Sequence, residues 1–364
     1  MKKLLLVALA AITLASCAQH EVVEVNKGNE ISFRTWTANA GRTAPTTTES
    51  IKNLGFTVWA YTKDSGVLYM DAVDVDWNSL TPDAWDYAPH KFWPAEALHF
   101  YSVAPKSVKG LVNYTAAEVA VENFVVEADA ANQIDLLYAV NTNEARRKEA
   151  VQVKFDHALS QVSFKASNSN TAAQGIEVVI TGVKVAGVNS TGNFTLPITA
   201  NTDATNKAAT ALQTAWEVSV PAAFTAGMAA ATYTVTDTAK ELTNEAGRLL
   251  LLPQTTAAWT PAADYAVAKG ACFLVNCTIK DLTSNIYLWA EDASAGGAKE
   301  LAIPVAVNWD PGKHYVYTFI FGEGAGYDPT TGQEVLDLIT FEVAVDDFAA
   351  GVDAGVDALG VPAL

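Results

Sequence analysis

From residue 31 onward the chain is written in short runs whose apolar positions alternate with polar ones. Ile31-Ser32-Phe33-Arg34-Thr35-Trp36, Phe56-Thr57-Val58-Trp59-Ala60-Tyr61 and Val151-Gln152-Val153-Lys154-Phe155 are examples, and similar runs recur at residues 162–165, 176–180, 314–321 and 341–345. A period of two, rich in Val, Thr and aromatics and cut by Gly, Asn and Pro, predicts half-buried antiparallel strands. Many such strands and few long helical periods predict an all-β fold of stacked sandwiches with only a few short helices. Residues 115–122 and 141–150 break the pattern and read as a helical turn or a charged loop. Residues 200–247 are rich in Ala and Thr and read as long connections anchored by Trp216 and Phe224. The rise in charge at residues 141–150 places a domain boundary there, dividing residues 18–148 from residues 149–364.

The first seventeen residues follow a different logic. Lys2 and Lys3 precede an apolar run over residues 4–14, which ends in Leu14-Ala15-Ser16-Cys17. A basic start, a core of about ten apolar residues and small residues before a cut form an export signal. The run falls short of the roughly 20 residues that span a bilayer. The closing Cys17 resembles a bacterial lipobox, in which the thiol is acylated and becomes the new N-terminus. The expectation is an exported lipoprotein held in membrane lipid through Cys17.

Charge and composition then narrow the function. The chain has 364 residues, 23 Lys+Arg against 40 Asp+Glu, and a formal charge of -17. That balance opposes binding to nucleic acid phosphates. Five His with no paired spacing and three Cys give little material for a metal site, so no cofactor is expected. Asp71, Asp74 and Asp76 lack the spacing of a calcium loop and read as a solvated strand face. No motif of a nucleophilic, zinc-protease or nucleotide-binding enzyme occurs, and the chain reads as a non-enzyme. Cys272 and Cys277 lie five apart in one strand-like run, an odd offset that sends their side chains to opposite faces, about 16 Å apart along the strand. They are expected to be free, buried thiols rather than a disulfide. The aromatics from Trp77 to Tyr101, among them Trp85 and Trp93, read as core packing, with a sugar-stacking platform on a surface lipoprotein as the alternative.

After the first strand comes Thr37-Ala38-Asn39-Ala40-Gly41-Arg42-Thr43-Ala44-Pro45, a small, polar stretch with one basic residue, of the kind proteases cut. The lipobox, the strand Ile31-Ser32-Phe33 and the loop holding Arg42 resemble the start of a Bacteroides-type fimbrillin, the subunit of type V pili. Asp135-Leu136-Leu137-Tyr138-Ala139 followed by Val151-x-Val153-x-Phe155-x-His157 is similar to a recognisable block of that family. Leu250-Leu251-Leu252-Pro253-Gln254, Trp309-x-x-Gly312-Lys313-x-Tyr315-x-Tyr317 and the closing Phe341-x-Val343-x-Val345-x-Asp347-Phe348 follow in the same order.

The resemblance implies two transthyretin-like β-sandwich domains of Greek-key type. It implies acylation at Cys17, delivery to the outer membrane and cell surface, and Arg-specific cleavage after Arg42. The first strand, with Ile31, Phe33 and Thr35 as its groove-filling face, would then be replaced by a strand of another fimbrial subunit. The product would be a fimbria supporting cell adhesion, with host or bacterial surface ligands left open. The tail departs from the family: Gly351, Gly355, Gly360 and Pro362 interrupt any alternation, which suits a donor strand poorly. Tip, anchor and accessory positions therefore stay open beside the shaft.

Overall fold

The computed structural model describes residues 29–37, 46–47, 49–80, 84–169, 175–197, 216–262, 270–322, 326–335 and 339–347. Its first strands are β1 (Phe33–Thr37), β2 (Phe56–Thr62), β3 (Leu68–Asn78), β4 (Ala84–Asp86) and β5 (Leu98–Ala104). Next come β6 (Val112–Tyr114), β7 (Val119–Val125), β8 (Leu137–Glu144), β9 (Val151–His157) and β10 (Ser160–Asn168). The long β11 (Ile176–Thr195) leads to β12 (Trp216–Thr225), β13 (Tyr233–Thr234), β14 (Lys240–Glu241), β15 (Leu249–Leu251) and β16 (Gln254–Thr256). Then follow β17 (Cys272–Asp281), β18 (Ile286–Trp289), β19 (Lys299–Pro304) and β20 (Val307–Trp309). The last are β21 (Lys313–Phe321), β22 (Gly326–Tyr327), β23 (Glu334–Val335) and β24 (Ile339–Asp347). A single turn of α-helix, α1 (Ile51–Leu54), and three short 3₁₀ turns complete the described elements.

The all-β sandwich reading holds. One sheet has seven strands in the order β1-β9-β8-β5-β2-β3-β4. A second runs β14-β10-β21-β24 with β15 also on β10. The third runs β23-β22-β19-β17-β11-β7-β6, with β12 and β13 on β11 and β18 on β17. A ribbon of β16 and β20 stands apart. The chain changes sheet between His157 and Ser160, since β9 pairs in the first sheet and β10 in the second.

Three details differ from the alternation pattern. The β1–β9 and β10–β21 pairs are parallel rather than antiparallel. Parallel neighbours need a long crossover, and each of these pairs joins strands separated by more than 100 residues of chain. Of the two readings for residues 115–122 and 141–150, the helical turn fails and the loop holds in part: residues 115–118 and 145–150 are loop, while β7 begins at Val119 and residues 141–144 finish β8. β2 is buried on both faces, so its run of Phe56 to Thr62 shows no polar side. One face, with Phe56, Val58 and Ala60, joins a core shared with β1 and β9. The other, with Trp59 and Tyr61, joins a larger core to which all three sheets contribute.

The sequence blocks become joints of this frame. Trp309 on β20 donates through Nε1 to the Tyr317 hydroxyl at 3.0 Å, and the Tyr315 hydroxyl accepts from the Asp310 amide at 2.9 Å. Gly312, at φ 68°, makes the left-handed turn that brings β20 and β21 into that register. Trp216 and Phe224, the expected anchors of the Ala- and Thr-rich region, are both buried, and they sit on β12. Cys272 and Cys277 are free and buried on β17. They belong to different core clusters, as an odd offset along one strand requires.

Candidate strand-replacement site

β1 lies at the outer edge of the seven-stranded sheet with β9 as its neighbour. The register runs from Phe33 opposite Val151 to Thr37 opposite Phe155. Alternation then sorts the side chains: Ile31, Phe33 and Thr35 are buried, while Ser32 and Arg34 are exposed. Phe33 meets three rings, Tyr87 at 5.6 Å, Phe100 at 5.8 Å and Phe56 at 5.9 Å between centroids. Burying an Ile or Phe side chain contributes about 1.5–3 kcal/mol, so Ile31 and Phe33 offset a large part of the cost of ordering this short segment.

The backbone just before β1 is clamped on both sides. The Val151 amide donates to the Ser32 carbonyl at 2.8 Å on the β9 side. On the other side the Ile31 amide donates to the Lys91 carbonyl at 2.9 Å, and the Trp93 amide to the Asn29 carbonyl at 2.8 Å. The Tyr87 hydroxyl adds a bond to the Ile31 carbonyl at 2.7 Å, and burial pushes its pKa up to about 12, so it stays a donor. His90 bridges the Glu30 and Asp86 carboxylates beside this clamp. Residues 29–37 thus fill a slot floored by Val151, Val153 and Phe155 and closed by the segment 87–93.

His157 continues the inward series of β9, and its Nδ1 lies 3.0 Å from Asp135 Oδ1, both side chains almost wholly enclosed. That contact ties together the two halves of the sequence block that contains Asp135 and His157. Sequence alone signals each half but not their bond, because 22 residues separate them. Cys17, Arg42 and the tail from Phe348 lie outside the described residues. The closing strand β24 pairs antiparallel with β21, and its Val343 and Val345 are half exposed.

Other candidates resolve into structural contacts. Asp71 accepts from the Tyr114 hydroxyl, Asp74 pairs with Lys109 at 3.1 Å, and Asp76 pairs with Lys106. No group of metal-ligating side chains gathers among the described residues. Trp85, Tyr87 and Trp93 are buried, and Trp77 packs edge-on against Trp85 with the Lys52 ammonium over its ring. Of these rings Trp77 alone is half-buried. No described helix is long and apolar enough to cross a membrane.

Aromatic cores and an edge strand locked by side-chain anchors define an all-β sandwich protein. The chain belongs to the fimbrillin-like family, whose model matches residues 41–345. A curated relative, the fimbrium subunit Fim1C of Phocaeicola vulgatus, is 26% identical over 213 residues. That match covers 50% of this chain and 56% of the relative, so it spans little more than half of that protein's length. A fimbrial protein from Bacteroides vulgatus, solved as a crystal structure, is 17% identical, and the superposition covers 88% of this chain and all of that one with a TM-score of 0.56. That likeness concerns the fold. β1 falls before the family match begins, and residue 42 lies at its start.

Proposed function

We propose that this chain is a structural, non-catalytic subunit of a bacterial fimbria that supports cell adhesion. It is exported as a lipoprotein acylated at Cys17, reaches the cell surface, and is cut after Arg42. The cut releases β1, and a strand from another subunit fills the slot. The observation that carries this reading is β1 itself: an edge strand, held by Ile31, Phe33 and Thr35, joined to the rest of the chain through a stretch with one Arg. Loss of such a strand uncovers a row of unpaired amides and carbonyls and an apolar slot, and an incoming strand restores both. Contacts of this head-to-tail kind do not close on themselves and so build filaments. Family membership supports the fimbrial role, and the start of the family match near Arg42 fits a mature subunit that lacks β1.

The test uses a soluble form beginning at residue 18, treated with an Arg-specific protease. N-terminal sequencing should read Thr43 first, and unboiled denaturing gels should then show ladders, alone or with partner subunits. A protein resistant at Arg42, or one cut there that never joins another subunit, refutes the mechanism.

A further inference from the structure

The residues just ahead of β1 are held by side chains as well as by backbone. Arg146 Nε donates to Asn29 Oδ1 at 2.9 Å, the Tyr87 hydroxyl donates to the Ile31 carbonyl, and His90 reaches the Glu30 carboxylate between them. Of these three holders, His90 is the one whose charge can change near neutral pH.

His90 stands between two carboxylates. Its Nδ1 lies 2.5 Å from Glu30 Oε1, and its Nε2 lies 3.0 Å from Asp86 Oδ1. An ionised carboxylate only accepts hydrogen bonds, and a neutral imidazole carries a single N–H. The neutral ring can therefore donate to one of the two and turns a lone pair toward the other. The imidazolium, with a proton on each nitrogen, satisfies both contacts at once and answers two negative charges. Glu30 belongs to the segment ahead of β1, whereas Asp86 ends β4 at the opposite edge of the same sheet. These two edges come together, since Tyr87, which follows β4, packs on Phe33 of β1. The ring thus bridges them.

Among the described residues, little else of charge faces His90. The Tyr87 ring packs against it at 5.5 Å between centroids, and the Tyr87 hydroxyl, pushed up to about 12 by burial, keeps its proton throughout. The Lys91 ammonium lies over the Tyr69 ring, 5.8 Å from its centroid, and Arg146 is engaged with Asn29.

We propose that His90 is a pH-dependent latch on the first strand: as imidazolium it bridges Glu30 to Asp86 and holds residues 29–31 in place, and as neutral imidazole it lets one of the two go. By linkage, the hold is complete in mild acid and is lost as pH rises through the range in which imidazoles shed their proton. The latch follows from the geometry of the ring. Its bearing on assembly rests on the reading of β1 as replaceable, because the strand then leaves more readily once the ring is neutral.

The experiment takes the uncut chain from residue 18 and follows hydrogen exchange at the Ile31 amide, which donates to the Lys91 carbonyl. Exchange is expressed as a protection factor, which removes the intrinsic effect of pH on the rate. Partly exposed ion pairs move an equilibrium only a few-fold, so protection should fall about threefold from about pH 5.5 to about pH 8. His90→Gln keeps an N–H for one carboxylate but cannot gain a charge, and its protection should be the same at both pH values. Glu30→Gln should flatten the response as well. Protection that does not change with pH in the unaltered protein, or that changes equally in His90→Gln, overturns the latch. The same forms are then cut after Arg42, and the departure of the segment ahead of the cut is timed. It should leave about threefold faster at the higher pH in the unaltered protein alone. A segment that never leaves, in a protein whose Ile31 protection responds to pH, overturns the replacement of β1 while the latch stands.

Discussion

Phe33 concentrates the energetics of the first strand in one side chain. It is buried among Phe56, Tyr87 and Phe100, so truncation removes a large apolar volume from a packed site. Phe33→Ala should destabilise the uncut chain by about 3–5 kcal/mol, read from denaturant unfolding. Arg34→Ala, on the exposed face of the same strand, should stay within about 0.5 kcal/mol. Equal effects at the two positions would contradict the inward assignment of Phe33. The alternation of residues 31–35 made this face legible from sequence, because side-chain direction in a strand depends only on local parity. The Asp135–His157 bond was not legible, since it depends on two distant strands meeting at the same end of a sheet.

At the level of elements, strands were easier to read than their neighbours. The run at residues 151–155 signals a strand, yet nothing local says that its partner is β1 or that the pair is parallel. β2 misled the alternation rule because two cores meet on it, so both of its faces are apolar. β17 shows the opposite case, where parity alone placed Cys272 and Cys277 in separate clusters. Burial pushes both thiols up to about 12 from an ordinary value of 9.0, by the cost of charging sulfur away from water. A raised folded pKa means that these groups favour the native state fully below pH 9, and that this contribution is lost as pH rises from 9 toward 12. Neither thiol should react with a water-soluble maleimide at pH 8 until denaturant unfolds the chain, and midpoints of unfolding should fall across that alkaline window. Rapid labelling of Cys277 in the native protein would contradict its burial.

At the scale of the whole molecule, an acidic β-sandwich carries at its edge a strand whose place, in the proposed assembly, is taken by another molecule's strand. A charge of -17 disfavours loose contact between like-charged copies, which suits the proposed strand insertion as the contact that drives assembly. The central claim is that β1 must leave its place beside β9. A disulfide across that pair tests it directly, with Thr35→Cys and Val153→Cys, which stand opposite one another in the register. Neighbouring strands bring such positions about 5 Å apart at Cα, within the reach of a disulfide. In a form beginning at residue 18 the other thiols are Cys272 and Cys277, which are buried and should not interfere. After cleavage at Arg42, the oxidised double variant should stay monomeric in the presence of partner subunits, and reductant should restore ladders. Assembly of the oxidised form as readily as the reduced one would show that β1 remains in place and would contradict the account.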